Sequence, residues 1–271
     1  MTATLSSINI FPLKSGAPLA RMQARVEPRG LERDRRWMVM DAESNFLTGR
    51  DEPRLTLIHA RPGDGVIELD APGMPRLTLA EPPVNAERID TAVWGTAVTP
   101  LLAGAAADAW ISRFLARPCR IVHMDAACHR AVNAKYDGRY GLDGDEVSLA
   151  DAFPLLLITQ AALDLLNGKL AQPVPMLRFR PNLVVAGTAA HAEDEWKRVR
   201  IGTVELDVVK PCVRCVFTTV DFERGTRDPS GEPLRTLIGY RRSEDGVTFG
   251  QNLIPRGTGT LSIGDPVVVL A

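Results

Sequence analysis

No stretch of this chain approaches the ~20 consecutive apolar residues that a membrane-spanning helix needs. The densest apolar run, Phe153 to Ile158, is only strand-sized. The first residues, Met1 to Ser7, lack the charged segment and apolar core of a secretion signal. Positive charge is not in surplus: the net charge is −1 over 271 residues, so no global field holds nucleic acid. Any anion site must therefore be assembled locally. In the reducing cytosol that these absences predict, the four cysteines, Cys119, Cys128, Cys212 and Cys215, are not a disulfide framework. No Gly-x-Gly-x-x-Gly follows a strand pattern, which removes the usual dinucleotide fingerprint. No four-cysteine spacing of the plant iron–sulfur type occurs either. Repeats and low-complexity tracts are also missing. Together these absences predict a cytoplasmic chain with reduced thiols, no membrane partner and no nucleic-acid partner.

What is present suits a folded globular chain. Apolar residues make up 45% and charged residues 24%, enough for one large or two modest domains with a buried core. Strand patterns dominate. Met22, Ala24 and Val26 alternate with polar neighbours, as do Val204, Leu206 and Val208. Arg36–Asp41 reads as a strand, and Val66–Asp70 and Arg76–Ala80 flank a Pro/Gly connection. Val267 to Leu270 predicts a buried terminal strand. Helices are few. Ala107, Trp110, Ile111, Phe114 and Leu115 share a helical face ended by Pro118. Thr159 is placed to cap a helix carrying Leu163, Leu166 and Leu170, and a third helix is expected within 233–241. The fold class expected is mainly β with α (α+β), as β-barrels with peripheral helices. A soft boundary between Arg117 and Ala150, with 143–146 exposed, divides an N-terminal β domain, 1–120, from a larger one, 121–271.

The segment richest in chemistry is Lys210-Pro-Cys-Val-Arg-Cys-Val-Phe-Thr-Thr-Val-Asp221. A structural zinc site would need a second ligand pair, and neither the other cysteines nor the four histidines supply one. A thioredoxin-type pair would open a helix, whereas Val216–Val220 is β-branched and favours a strand. A single thiolate on a soft metal is the third reading, with Arg214 favouring the anion. A pair of buried structural thiols is the fourth. Spacing alone leaves these open. Basic residues stand near strand ends: Lys14 beside Ser15, Arg33, Arg35 and Arg36, Arg50 and Arg54, and Arg178 and Arg180 before Asn182. Such grouping suits a phosphate- or carboxylate-bearing ligand, or simply a solvated surface. Asp151 is a candidate proton donor. Gln251 and Asn252 offer amides for a heterocycle edge.

Taken in order, several segments resemble the MOSC family, in the branch of the amidoxime-reducing proteins. They are Phe11-Pro-Leu-Lys-Ser15, Asp34-Arg-Arg-Trp37, Thr48-Gly-Arg-Asp-Glu-Pro-Arg54, Asp151-Ala-Phe-Pro-Leu-Leu-Leu-Ile-Thr159, Arg178-Phe-Arg-Pro-Asn182, Glu193-Asp-Glu-Trp196, the cysteine motif, Phe249-Gly-Gln-Asn252 and Gly264-Asp-Pro-Val267. The resemblance implies a β-barrel-like first domain, a MOSC β-barrel second domain, and a molybdenum cofactor (Mo-molybdopterin) between them. It implies that Cys215 ligates molybdenum and Cys212 does not. By the same resemblance Lys14, Ser15, Arg35, Thr159, Arg180 and Asn182 hold the pterin and its phosphate, with Arg50, Arg178, Arg214, Gln251 and Asn252 as further contacts. Asp151 matches an acid near the metal. Pyridoxal phosphate binding comes only as a family descriptor, with no residue nominated. Gly16-Ala17 and Phe153 depart from the mitochondrial pattern.

The implied activity is reduction of N-hydroxylated compounds such as hydroxylamines, amidoximes and N-hydroxylated bases. With no iron–sulfur spacing in the chain, electrons are expected from a separate ferredoxin-like, cytochrome b5-like or flavoprotein donor. The alternative is a cofactor or sulfur carrier in which Cys215 bears a persulfide.

Overall fold

The computed structural model describes residues 2–132 and 140–271. Part of the 117–150 boundary region therefore lies outside the described residues.

Nine strands make the larger sheet; Leu19–Arg21 flanks the first strand and Arg242–Ser243 pairs with Gly246–Pro255, and seven form its main path. In spatial order they are Thr4–Ile10, Leu183–Ala186, Leu155–Thr159, Gly246–Pro255, Val204–Val213, Arg198–Ile201 and Val267–Val269. All neighbouring pairs are antiparallel except Leu155–Thr159 with Leu183–Ala186. Parallel neighbours need a crossover; here it carries the helix Gln160–Asn167. The last strand returns to the first. Thr4 bridges Pro266, Leu5 N donates to Asp265 O and Val267 N donates to Ala3 O, which closes the sheet into a barrel. Its interior is filled by Leu5, Ile8, Leu157, Val185, Val199, Leu206 and Leu253 among others.

A second core belongs to the N-terminal half. The strands Trp37–Asp41 and Cys119–His123 pair, Val66–Asp70 and Leu77–Ala80 form a hairpin, and the helix Ala105–Leu115 covers them. Ala107, Trp110, Ile111 and Leu115 are buried on that helix face, as the periodicity predicts. The expected mainly-β architecture with few helices is what is seen. The split at 120, however, would cut the Cys119–His123 strand. Moreover, Thr4–Ile10 and Gln23–Glu27 pair with strands of the C-terminal half. These two strands thus belong by packing to the barrel, whereas Leu13 between them joins the N-terminal core.

Several local expectations need correction. Val216–Thr219 is a 3-10 helix, not a strand. The Thr218 hydroxyl donates to Cys215 O and the Thr219 hydroxyl to Val216 O, so the threonines stabilise a turn that β propensity would disfavour. In the terminal strand only Val267 is buried, while Val268, Val269 and Leu270 are exposed, against the expectation of a wholly buried strand. Met22 precedes its strand and is exposed. In 143–146, Asp145 pairs with Arg256 and Glu146 with Arg29, so only the tip is exposed. No helix among the described residues is long and apolar enough to cross a membrane.

Candidate functional site

A cleft of about 150 Å3, partly open to solvent, lies between the two cores. The N-terminal half contributes Lys14, Ser15, Arg35, Thr48, Arg50 and Trp94. The barrel contributes Asp151, Phe153, Arg178, Phe179, Arg180, Asn182, Arg214, Phe217 and Asn252, together with both Cys212 and Cys215. Six cations face a single carboxylate in a chain whose net charge is −1. The local positive site that the composition requires is therefore here.

Each wall is built from unusual backbone. Of the eight described non-glycine residues with positive φ, Ser15, Arg35, Trp94 and Arg180 line this cleft. Such conformations cost energy and gather where side chains must be aimed. Ser15 Oγ accepts from Gly49 N at 3.0 Å. A Cβ at Gly49 would overlap the Phe217 ring, so the 48–52 turn and the cysteine motif pack against each other across the domain junction.

The first wall's cations are paired. Lys14 Nζ is buried and donates to Asp151 Oδ1 at 2.6 Å and Leu149 O at 2.9 Å. Burial lowers its pKa to about 8, against the opposing pull of Asp151. Arg35 donates to Asp34 at 2.5 Å and to Asn182 Oδ1 at 3.1 Å. Arg50 reaches Asp151 Oδ2 at 3.4 Å and stacks on Trp94 at 4.2 Å. The surrounding protein works to raise the Asp151 pKa. Lys14, the Trp94 indole and Arg50 outweigh it and hold the carboxyl well below the usual range. So placed, Asp151 accepts hydrogen bonds from Lys14, the Trp94 indole and Arg50.

The second wall differs. Arg180 Nη1 donates to Gly16 O at 2.8 Å, and its guanidinium stacks on Phe11 at 4.1 Å. Burial, then the nearby Arg35, brings its pKa down to about 9. Arg178 donates to Thr219 O at 3.0 Å. Arg214 donates to Phe179 O and, at 2.8 Å, to Cys212 Sγ. Its hydrogen bond therefore goes to Cys212 and not to Cys215, contrary to the expectation that it favours a metal-binding thiolate directly. Arg178 Nε, Arg180 Nη2 and Arg214 Nε are all buried without a hydrogen-bond partner. Cys215 stands at the start of the 3-10 helix, half-buried, and no hydrogen bond reaches its sulfur among the described residues. Cys212 packs at the edge of an apolar cluster that includes Phe179 and Phe249.

Two nominated residues are not in the cleft. Thr159 is fully buried and gives its hydroxyl to Glu193 at 2.7 Å, so it neither caps its helix by a side-chain bond nor faces a ligand. Gln251 donates to Asp194 at 2.8 Å behind the wall. Gln251 faces away because alternate residues of a strand face opposite sides and Asn252 takes the cleft side, whereas Thr159 stands at the far end of its strand from Leu155 and Leu156, which line the cleft. Asn182 lines the cleft but is spent on Leu156 N, Arg35 and Asn9 O. Of the two departures from the mitochondrial pattern, Phe153 lines the cleft and Gly16-Ala17 lies outside the lining. Residues that sequence reasoning missed are Thr48, Phe179 and above all Trp94. The Val-Trp-Gly-Thr stretch at 93–96 is a two-residue hairpin signal, and a tryptophan at such a tip was the clue.

A chain built this way is a two-domain β protein with a cationic cleft at the domain junction and a cysteine in its wall. It belongs to the MOSC family: residues 2–118 match the MOSC N-terminal beta barrel domain and residues 144–268 the MOSC domain. It is 36% identical to mitochondrial amidoxime-reducing component 1 of Mus musculus, over 98% of this chain and 82% of that protein. The Xenopus laevis protein of the same name is 33% identical, over 97% and 81%. The Homo sapiens one is 33% identical, over 98% and 83%.

Proposed function

We propose that this chain is a molybdenum-cofactor-dependent reductase of N-hydroxylated compounds, with Cys215 as the metal's protein ligand. The observation that carries the reading is the second wall. Three buried guanidinium nitrogens without partners, beside a cysteine sulfur without a hydrogen bond, suit a ligand that brings both anionic oxygens and a soft metal. The similarity to proteins named amidoxime-reducing component supports the same reading.

Arg178, Arg180 and Arg214 would hold the phosphate and polar edges of the pterin, with Asn252 beside them. When bound, the cofactor supplies the two-electron chemistry that turns an N–OH group, with two protons, into N–H and water. The chain's own residues supply the rest. The Lys14 ammonium, poised near neutral pH, is the proton source facing the cleft, and Asp151 holds it in place and stabilises its charge. Phe153, Phe179 and Phe217 give the cleft apolar walls that restrict water and orient a small substrate. Electrons come from a separate donor protein of the ferredoxin, cytochrome b5 or flavoprotein kind.

The test is elemental analysis of protein made in a cofactor-competent host, followed by turnover of an amidoxime with reduced viologen. About one molybdenum per chain with viologen-driven amine or amidine release is expected. Full loading without turnover under every donor would defeat the reductase reading.

A further inference from the structure

We infer that Arg130 is a positioning residue that sets the Asp151 carboxylate from behind the cleft wall, acting through both the 148–151 main chain and the Trp94 hairpin. Arg130 is the largest fully buried side chain among the described residues, at 1% exposure. Its guanidinium donates to Ser148 O at 2.8 Å, Ala150 O at 2.5 Å and Asp151 O at 2.8 Å, and to Val93 O at 3.3 Å. Among the described residues no carboxylate accepts from it; the buried cation is held by carbonyl dipoles, a costly arrangement for packing alone. A neutral side chain could fill the space, but only a planar fork of donors can tie two separate segments at once.

Those two segments meet again in the cleft. Val93 ends the strand before the Trp94-Gly95 turn, whose residues have φ of 52° and 84°. Asparagine and glycine normally occupy such a turn, and a bulky tryptophan is strained there. The strain is directed: the Trp94 indole Nε1 donates to Asp151 Oδ1 at 3.0 Å. Asp151 is therefore gripped at its carbonyl by Arg130 and at its carboxylate by Trp94, which hangs from the residue that Arg130 also holds. Because Lys14 bonds the same carboxylate oxygen and Leu149 O, the proton-bearing amine is placed by this closed circuit. A direct role for Arg130 is excluded, since it does not line the cleft.

The inference rests on the reductase reading only for its activity arm. The full chain, labelled with nitrogen-15, has four tryptophan indole resonances to follow, and Trp94→Phe identifies one. In Arg130→Met the Trp94 resonance is expected to move away from its carboxylate-bonded position while the other three stay. Arg130→Lys, which keeps the charge but not the fork, should move it less. Viologen-driven turnover of Arg130→Met should fall on the order of tenfold with molybdenum content unchanged. Should the methionine variant fail to fold, the lysine variant carries the comparison. An unmoved Trp94 resonance in whichever variant folds would overturn the inference. A shifted resonance in a chain that reduces nothing would leave it standing and remove the proposed function instead.

Discussion

The two walls of the cleft carry three cations each and use them differently. On the N-terminal wall Lys14 and Arg50 meet Asp151, and Arg35 meets Asp34. On the barrel wall Arg178, Arg180 and Arg214 bond mainly main-chain carbonyls, and each keeps one buried nitrogen without a partner. Arg178 alone of these three has a carboxylate nearby, Asp221 at 3.7 Å, so the barrel wall is the less neutralised of the two. Counting basic residues in the sequence cannot separate the groups, because the difference lies in what each guanidinium meets after folding.

The sharpest break in that comparison is at sulfur. Cys215→Ala is expected to lose bound molybdenum and all turnover, while Cys212→Ala, whose sulfur is already bonded by Arg214, keeps most of both. The reverse pattern in metal analysis would exchange the two roles. Next in size, Arg35→Ala leaves Asp34, 1% exposed, without its cation, and should cost the fold about 3–5 kcal/mol by denaturant unfolding. By contrast Arg180→Ala should weaken cofactor retention by about 1.5–3 kcal/mol with a smaller effect on unfolding. Equal effects of the two variants on both readouts would erase the distinction between the walls.

Smaller again, Gly49→Ala forces the Phe217 ring aside and should cost about 1–3 kcal/mol, read as a lowered Tm. A further expected effect is on pH. The folded Lys14 pKa, about 8, lies below the usual lysine value, so the unfolded chain binds more protons between the two values and stability rises with pH across that window. Turnover should move the opposite way, falling as pH climbs through about 8 and the ammonium is lost. Lys14→Arg, which stays charged, should abolish that falling limb; a limb that persists assigns it to another group.

Much of the fold was legible where one period governed a whole segment. The helix carrying Trp110 and Ile111, and the hairpin of Val66–Asp70 with Leu77–Ala80, follow directly from spacing. Where a side chain competes with propensity, the reading failed: Thr218 and Thr219 bend a β-branched run into a 3-10 turn. The site was legible as a set of residue types but not as a set of directions. Thr159 and Gln251 sit in the right strands, but Thr159 stands at the far end of its strand and Gln251 faces away. Trp94 and Arg130 lay outside the motifs, one on a short hairpin and one bonded only to main chain, and neither arrangement leaves a pattern of spacing.

Barrel closure has a consequence for synthesis. The first strand pairs with Leu183–Ala186 and bridges Pro266, and Gln23–Glu27 pairs with Gly259–Ser262. Made before these partners, the two segments pair on one side with Leu19–Arg21 and Gly30–Leu31, and their other edges stay open until nearly all of the barrel has followed. The cleft lies between the two cores, so its barrel wall is completed last. A nascent chain stopped just after the Cys119–His123 strand would carry most of its own core but leave two strand edges open, ready to pair with whatever edge comes near.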